Sequence, residues 1–444
     1  MKKISHRKAK KPPKVKVAMT GKGLTIYGGL LPVFNFMKML GLRKSISREI
    51  NVERGANAKY QIADAIQMIV VGLIAGATAM EQVSAIWQDK VLQRLGGWTD
   101  IPVATTVGRI IKRLTFSEIV AFEGLIHYFR ARVWKRAVRS GQKLSSALVE
   151  MWIDVDSTVD GVYGNQEGAQ KGYNPKKKGQ RSYHPLMAFV SETKEVLHSW
   201  FRSGSAYSSN GVVAFMKECM AHIRGSVKVV FRGDSAFFIG GLFDYLEAEG
   251  AGYLVKVKLK GLQALLSKQD WTAIPGSPGW EQTEFQHKCL IWLSSRRFVA
   301  VRRLIRVEKG LFDIAIYDTF CYVTTERLSP MAAHRKYGER ATCETWIEEC
   351  KSQMKVGKIR TSEFLANAVL FQSAVLAYNI LKWMALLTGG KVRTWEVKSI
   401  RFWLIRVAGK LCGGSRQLTL KLPEQFLYQQ QWREWEQMSR LSPL

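Results

Sequence analysis

Tyr337, Arg340, Glu344 and Lys351 stand at steps of three, four and seven within HRKYGERATCETWIEECKSQM. On an ideal helix turning about 100° per residue, all four share one face within an arc of about 60°. A carboxylate beside a guanidinium, an ammonium and a phenol suits a metal ion and phosphate together. The acid takes the ion and the cations take phosphate oxygens. The same face also reads as a solvated one, with Arg340 and Glu344 as an ordinary i,i+4 ion pair.

Two further acids could complete a site. ALVEMWIDVD is an apolar run ending in acids, which suits a buried strand. Alternation puts Asp154 and Asp156 on one face near its end. VKVVFRGD is another strand, and Asp234 ends it. If these strands are neighbours, Asp156 and Asp234 face each other across about one strand spacing. Carboxylates that close repel unless a cation lies between them, and Mg²⁺ takes carboxylate oxygens readily. With Glu344 as a third acid the set could hold two ions about 3.5–4 Å apart.

The elements that must position these acids follow from pattern. HPLMAFVS and VLHSWFRSG read as the second and third strands. SSNGVVAFMKECMAHIRG reads as a helix capped by Ser209 or Asn210 and closed by Gly225. FIGGLFDYLEAEG is a second helix and YLVKVKL a fifth strand. The order β-β-β-α-β-α-β is that of a ribonuclease-H-like core, with the first and fourth strands side by side. The fold class expected is therefore α/β: a ribonuclease-H-like catalytic core, with a mixed five-stranded sheet and helices, interrupted by an all-β insertion and preceded by a helical N-terminal region. The expected division is a basic arm and following segment over 1–48, helical DNA-binding region over 49–145, core over 146–260, β-rich insertion over 261–326, second core part with the Glu344 helix over 327–389, and a basic, aromatic region over 390–444.

Composition restricts the partners. Lys and Arg number 67 against 36 Asp and Glu, a net charge of +31. Such a surplus opposes compaction unless a polyanion offsets it, and nucleic acid is the favoured one. No amphipathic or lipidation signal supports a membrane surface, and the apolar run Ala65–Met80 is short for a span. The basic N-terminus is not followed by an apolar signal segment. The six cysteines include no Cys-x-x-Cys pair and the seven histidines show no metal-ligand spacing, so zinc chemistry has little support. No phosphate-cradling Gly-x₄-Gly-Lys motif occurs, and ATP use is not indicated.

Candidate DNA contacts lie on several elements. VLQRLGGWTDIPVATTVGRIIKRL reads as helix, turn and helix, the second capped by Thr105 or Thr106 and carrying Arg109. A plain helical hairpin, the commoner arrangement, fits as well. Lys177 lies in a basic loop with Lys171, Lys176, Lys178 and Arg181. Arg302 and Arg303 belong to a cluster with Arg296, Arg297 and Arg306, with Glu308 as the acid nearby in sequence.

Tyr-x₂-Arg-x₃-Glu-x₆-Lys is similar to the signature of a large group of bacterial insertion-sequence transposases. IDVDSTVDGVYGNQEG and FRGDSAF resemble the first two acid motifs of its insertion-sequence thirteen-eighty type, within the broader insertion-sequence-four-like group. The resemblance implies an Asp-Asp-Glu triad of Asp156, Asp234 and Glu344 on a ribonuclease-H-like fold. It implies Tyr337, Arg340 and Lys351 as contacts to the transposon end, and Asp154 as a support behind Asp156. Phe320 stands where some relatives carry a Trp that stacks on a flipped base. The implied reaction is cut-and-paste transposition with two Mg²⁺ ions, Mn²⁺ able to substitute. The implied partners are inverted-repeat ends and target DNA, bound by a homodimer or larger assembly in the bacterial cytoplasm, nucleoid-associated on DNA, without a membrane. A metal nuclease without strand transfer and a non-catalytic basic DNA-binding protein stay open as alternatives.

Overall fold

The computed structural model describes residues 14–53, 55, 57–141, 149–172, 174, 177–223, 227–309, 313–414 and 417–440. The first part of the basic arm, Lys176 and the Gly225 helix stop lie outside the described residues.

Nine strands form one mixed sheet: β1 (Glu150–Ser157), β2 (Leu186–Val190), β3 (Val196–Trp200), β4 (Lys228–Gly233), β5 (Gly252–Lys256), β6 (Thr272–Ala273), β7 (Trp280–His287), β8 (Arg296–Glu308) and β9 (Ile314–Thr324). Their spatial order is β6-β7-β8-β9-β5-β4-β1-β2-β3. β1 runs parallel to β4, with Asp154 opposite Arg232, and antiparallel to β2, with Asp156 opposite Met187. The five strands inferred from sequence thus have the inferred neighbours and directions.

β1 is buried on both faces. Met151, Ile153 and Val155 enter the main core, while Trp152 packs with Val230, Leu254, Val299, Tyr322 and Ala333 on the other side. Strict alternation then puts Asp154 and Asp156 on the Trp152 face.

The β-rich segment continues the core sheet: β9 pairs with β5, Val323 opposite Val255. Without β9 the outer edge of β5 would be a row of unpaired amides and carbonyls. β8 and β9 run 13 and 11 residues.

The helices are α1 (Ile62–Ala75), α2 (Ala104–Ile111), α3 (Phe116–Arg139), α4 (Val212–Ala221), α5 (Gly240–Ala248), α6 (Pro330–Gly338), α7 (Ala341–Glu348) and α8 (Phe364–Thr388). The apolar run beginning at α1 breaks at Gly76, whose φ of 110° ends the helix. The next helix, Met80–Ile86, turns away by 88°. α2 is capped by the backbone at Val103, so Thr105 and Thr106 lie inside it. α4 starts from Gly211, not Ser209 or Asn210; its φ of 74° suits glycine, and a Cβ there would sit 2.8 Å from the Trp200 ring. α3 opens with a reciprocal cap between Thr115 and Glu118. α8 is long and apolar enough to cross a membrane, yet 89% of its apolar window is buried inside the protein. It is a core helix.

Beyond α8, strands Gly409–Gly413 and Leu418–Lys421 form a small sheet with Leu24–Thr25 from the start of the described chain.

The stretch carrying Tyr337 to Lys351 is not one helix. α6 starts at the Ser329 cap with Pro330 in its first turn and ends at Gly338. α7 follows, and residues Glu349–Gln353 form a π turn. The break coincides with a contact from β4. The Lys336 carbonyl accepts from Arg232 Nη1, while the Arg340 amide turns to the Tyr337 carbonyl at 2.9 Å. The π turn is held by a buried ion pair of 2.8 Å between Glu349 and Lys382.

Candidate active site

Asp156 sits at the C-terminal end of β1, and Asp234 directly follows the parallel strand β4. Both line one cleft of about 480 Å³ with Lys177, Lys351, Lys358, Tyr163 and Ser208. Asp156 Oδ1 accepts from the Ser157 amide at 2.8 Å. Asp234 Oδ1 accepts from the Ala236 amide at 2.9 Å and caps the short turn Ser235–Phe237. Backbone hydrogen bonds therefore fix both carboxylates before any ligand arrives.

Glu344 lies on α7 with its side chain 68% exposed. Arg340 links it to the aspartates: its Nη2 is 2.9 Å from Asp156 Oδ2 and its Nη1 is 3.5 Å from Glu344 Oε1. This corrects the picture of Arg340 as one of four groups along a solvated helix face. The guanidinium is buried between two of the acids, where burial opposes its charge and Asp156 restores it. Its Nε is nevertheless buried without a hydrogen-bond acceptor among the described residues. Tyr337 is half-buried, its ring 4.6 Å from that of Tyr322. Burial pushes the Tyr337 phenol up to about 12, so it stays a proton donor at neutral pH. The π turn brings Lys351 to the cleft, where its Nζ donates to the Val159 carbonyl at 3.0 Å.

Asp154 is fully buried and holds Arg232 through two bonds of 2.5 and 2.8 Å. Arg232 also donates to the Lys336 carbonyl and to Ser191. The pair thus ties β1 and β4 to the end of α6. Sequence reasoning passed over Arg232, although alternation in FRGD places it on the face of Asp154.

Other candidates are placed apart. Arg302 lies between the Trp271 and Tyr317 rings and pairs with Glu281 at 2.5 Å. Arg303 is over Trp280, 3.9 Å from Asp318. Arg296, Arg297 and Arg306 pair with Asp244 and Glu247, Glu284, and Glu308. The expectation of a cluster facing a single acid is corrected: antiparallel register sets Glu281 opposite Arg302 and Asp318 opposite Arg303. The half-buried Phe320 ring packs 4.7 Å from His334 against the core cluster under α6. Arg109 is on α2, where its Nε faces the Thr105 carbonyl at 3.4 Å, and it does not line the cleft. His127, His198 and His222 converge from three elements. Their separation in sequence hides them, which corrects the reading of scattered histidines.

The carboxylates fit a divalent cation. Burial raises Asp156 to about 6; Arg340 opposes that shift, while Asp234 and Glu344 add to it. Since this folded value lies above the usual one near 3.8, ionisation of Asp156 costs stability as pH rises, and the cost is relieved as pH falls through about 6. A proton there also competes with a metal. Titration calorimetry with Mn²⁺ should therefore show affinity falling about tenfold per unit below pH 6 and levelling above it. A pH-independent affinity between 5 and 7 would remove Asp156 from the metal site.

A family described as transposase DDE domain, group 1, matches residues 7–443. No curated protein matches the chain. A cryo-EM structure of a piggyBac transposase synaptic complex with hairpin DNA is similar over 86% of this chain and 80% of that one, with 14% identity and a TM-score of 0.45. On the family match, which spans nearly the whole sequence, this chain belongs to the DDE transposases.

Proposed function

We propose that this transposase is of the insertion-sequence thirteen-eighty type, built on a ribonuclease-H-like core. It binds the inverted-repeat ends of its element, cleaves them in a divalent-metal-dependent reaction and joins the freed 3′-OH to target DNA. The supporting observation is the meeting of Asp156 and Asp234, from the ends of adjacent parallel strands, with Glu344 through Arg340 at a lysine-lined cleft. Asp156, Asp234 and Glu344 would hold two Mg²⁺ ions, or Mn²⁺ in their place. Such ions activate the attacking oxygen and stabilise charge on the leaving one.

The remaining groups bind and orient the DNA. Arg340 Nε is buried without an acceptor among the described residues, which suits a phosphate oxygen. The protonated Tyr337 phenol can donate alongside it. Lys351 and Lys177 give the cleft its positive charge. Asp154 acts from behind, by fixing Arg232 and with it the start of the Glu344 segment. The partners are transposon ends and target DNA, held by a homodimer or larger assembly in the bacterial cytoplasm.

Lys351→Ala should weaken end binding and reduce the slope of log affinity against log salt by about one. Glu344→Ala should leave binding largely intact and stop cleavage. Gel-shift titrations across salt concentrations separate the two. The overall reading is tested by incubating protein, labelled ends, target plasmid and Mg²⁺. Joined product is expected; nicks alone point to a nuclease without strand transfer, and DNA binding without cleavage to a non-catalytic protein.

A further inference from the structure

A second cluster of metal-ligand type lies outside the acidic cleft. His127 comes from the middle of α3, His198 from β3 and His222 from the turn ending α4. One ligand-capable atom from each lies within 4.8 Å of the others. The His127 and His222 rings stack with centroids 3.2 Å apart, and His198 stands 5.4 and 5.6 Å from them. All three line a cavity with Glu123 and Glu218.

We propose that His127, His198 and His222 bind one Zn²⁺ ion as a structural clamp. Imidazole nitrogen is a preferred zinc ligand, and tetrahedral bonds of about 2.0–2.1 Å put ligand nitrogens about 3.4 Å apart. The cluster needs to contract by at most about 1.4 Å to meet that spacing. The stacked His127 and His222 rings, 15° from parallel, must also rotate apart so that their in-plane lone pairs converge on the ion.

The surrounding hydrogen bonds suit part of this arrangement already. His198 Nε2 lies 2.7 Å from Glu218 Oε2. A proton on Nε2 there leaves Nδ1 with the lone pair, the carboxylate–imidazole–metal order common at zinc sites. His127 Nδ1 accepts from Arg130 Nη1 at 2.6 Å. Binding through Nε2 therefore requires His127 to give up that bond and carry its proton on Nδ1. Arg130 remains anchored by buried Glu195 and by the Val196 carbonyl. His222 makes no ring hydrogen bond among the described residues, so its lone pair is uncommitted.

The charges around the cavity are mixed. Arg130 is offset by Glu195, Glu218 and Arg202 both line the cavity, and burial raises Glu123 to about 7, so a bound cation would hold Glu123 ionised. Glu123, one helical turn before His127, or water can fill the fourth position. Burial first of all holds the three imidazoles below the usual histidine range, so each is neutral, the form that ligates metals. The ion would join α3 of the N-terminal helical part to β3 and α4 of the core.

The test uses the full chain with Asp156→Asn and Asp234→Asn, to keep the acidic cleft from contributing. The protein is loaded with Zn²⁺, desalted and analysed for metal. About one zinc per chain is expected, falling to none in His198→Gln and His222→Gln derivatives that keep the parent circular dichroism. Co²⁺ should give the parent the visible bands of a tetrahedral nitrogen site. No retained zinc in the parent, or the same zinc content after both substitutions, overturns the proposal. If the histidine derivatives do not fold, the Co²⁺ spectrum of the parent decides: tetrahedral bands support the site and their absence rejects it.

Discussion

Asp234→Asn should lower strand cleavage by about 10³-fold or more while changing affinity for the DNA ends by about twofold or less. Two features make this substitution informative. The native carboxylate caps the turn Ser235–Phe237 through Oδ1 and the Ala236 amide. An asparagine carbonyl can accept the same hydrogen bond, so the local fold is retained. What is lost is the negative charge, which a divalent cation needs and DNA phosphates do not. Single-turnover cleavage of a labelled end, beside a gel shift with the same protein, measures both quantities. Wild-type cleavage by Asp234→Asn would remove Asp234 from the chemistry and with it the acid-triad reading.

Asp154→Ala should destabilise the protein by about 3–5 kcal/mol, the cost of leaving one partner of a buried ion pair without its counterion. Asp154 and Arg232 are both fully buried, and the carboxylate satisfies two guanidinium N–H groups. Ser191, the Lys336 carbonyl and Glu339 remain to Arg232, but Glu339 stands 3.5 Å away with its side chain half exposed and replaces the buried bidentate partner only in part. Urea unfolding should show a lower midpoint at unchanged slope. The outcome also separates the two aspartates of β1. A stable Asp154→Ala protein without cleavage would give Asp154 the metal role and make Asp156 the support. Loss of stability beyond that of Asp156→Ala agrees with the positions seen, because Asp156 is partly exposed and faces the cleft.

The register of the core sheet was legible because β1 and β4 carry local signals. Each is an apolar run ending in an acid, and period-two alternation fixes which side chains share a face. Asp156 and Asp234 could be paired from this and the order of elements. Glu344 is singled out in the sequence by its spacing to Tyr337, Arg340 and Lys351. An ideal helix aligns these four by rotation, whereas the chain breaks after Gly338 and widens into a π turn at Glu349. Those departures depend on Arg232, Lys382 and their partners from distant segments, and no local pattern contains them.

The acids, the alternation that aims two of them, the excess of positive charge and the order of the core strands are all readable along the chain. These are properties of composition and of neighbours along the chain. Tertiary structure alone decided how the cations are used. Arg340 is drawn between Asp156 and Glu344, Arg302 is enclosed by Glu281 and two rings, and Lys351 is turned into the cleft. It also decided that β9 seals the edge of β5 and that His127, His198 and His222 meet. The physical reason is common to all of these: a buried charge, an open strand edge or an imidazole cluster is satisfied by whichever group folding brings near, however distant in sequence.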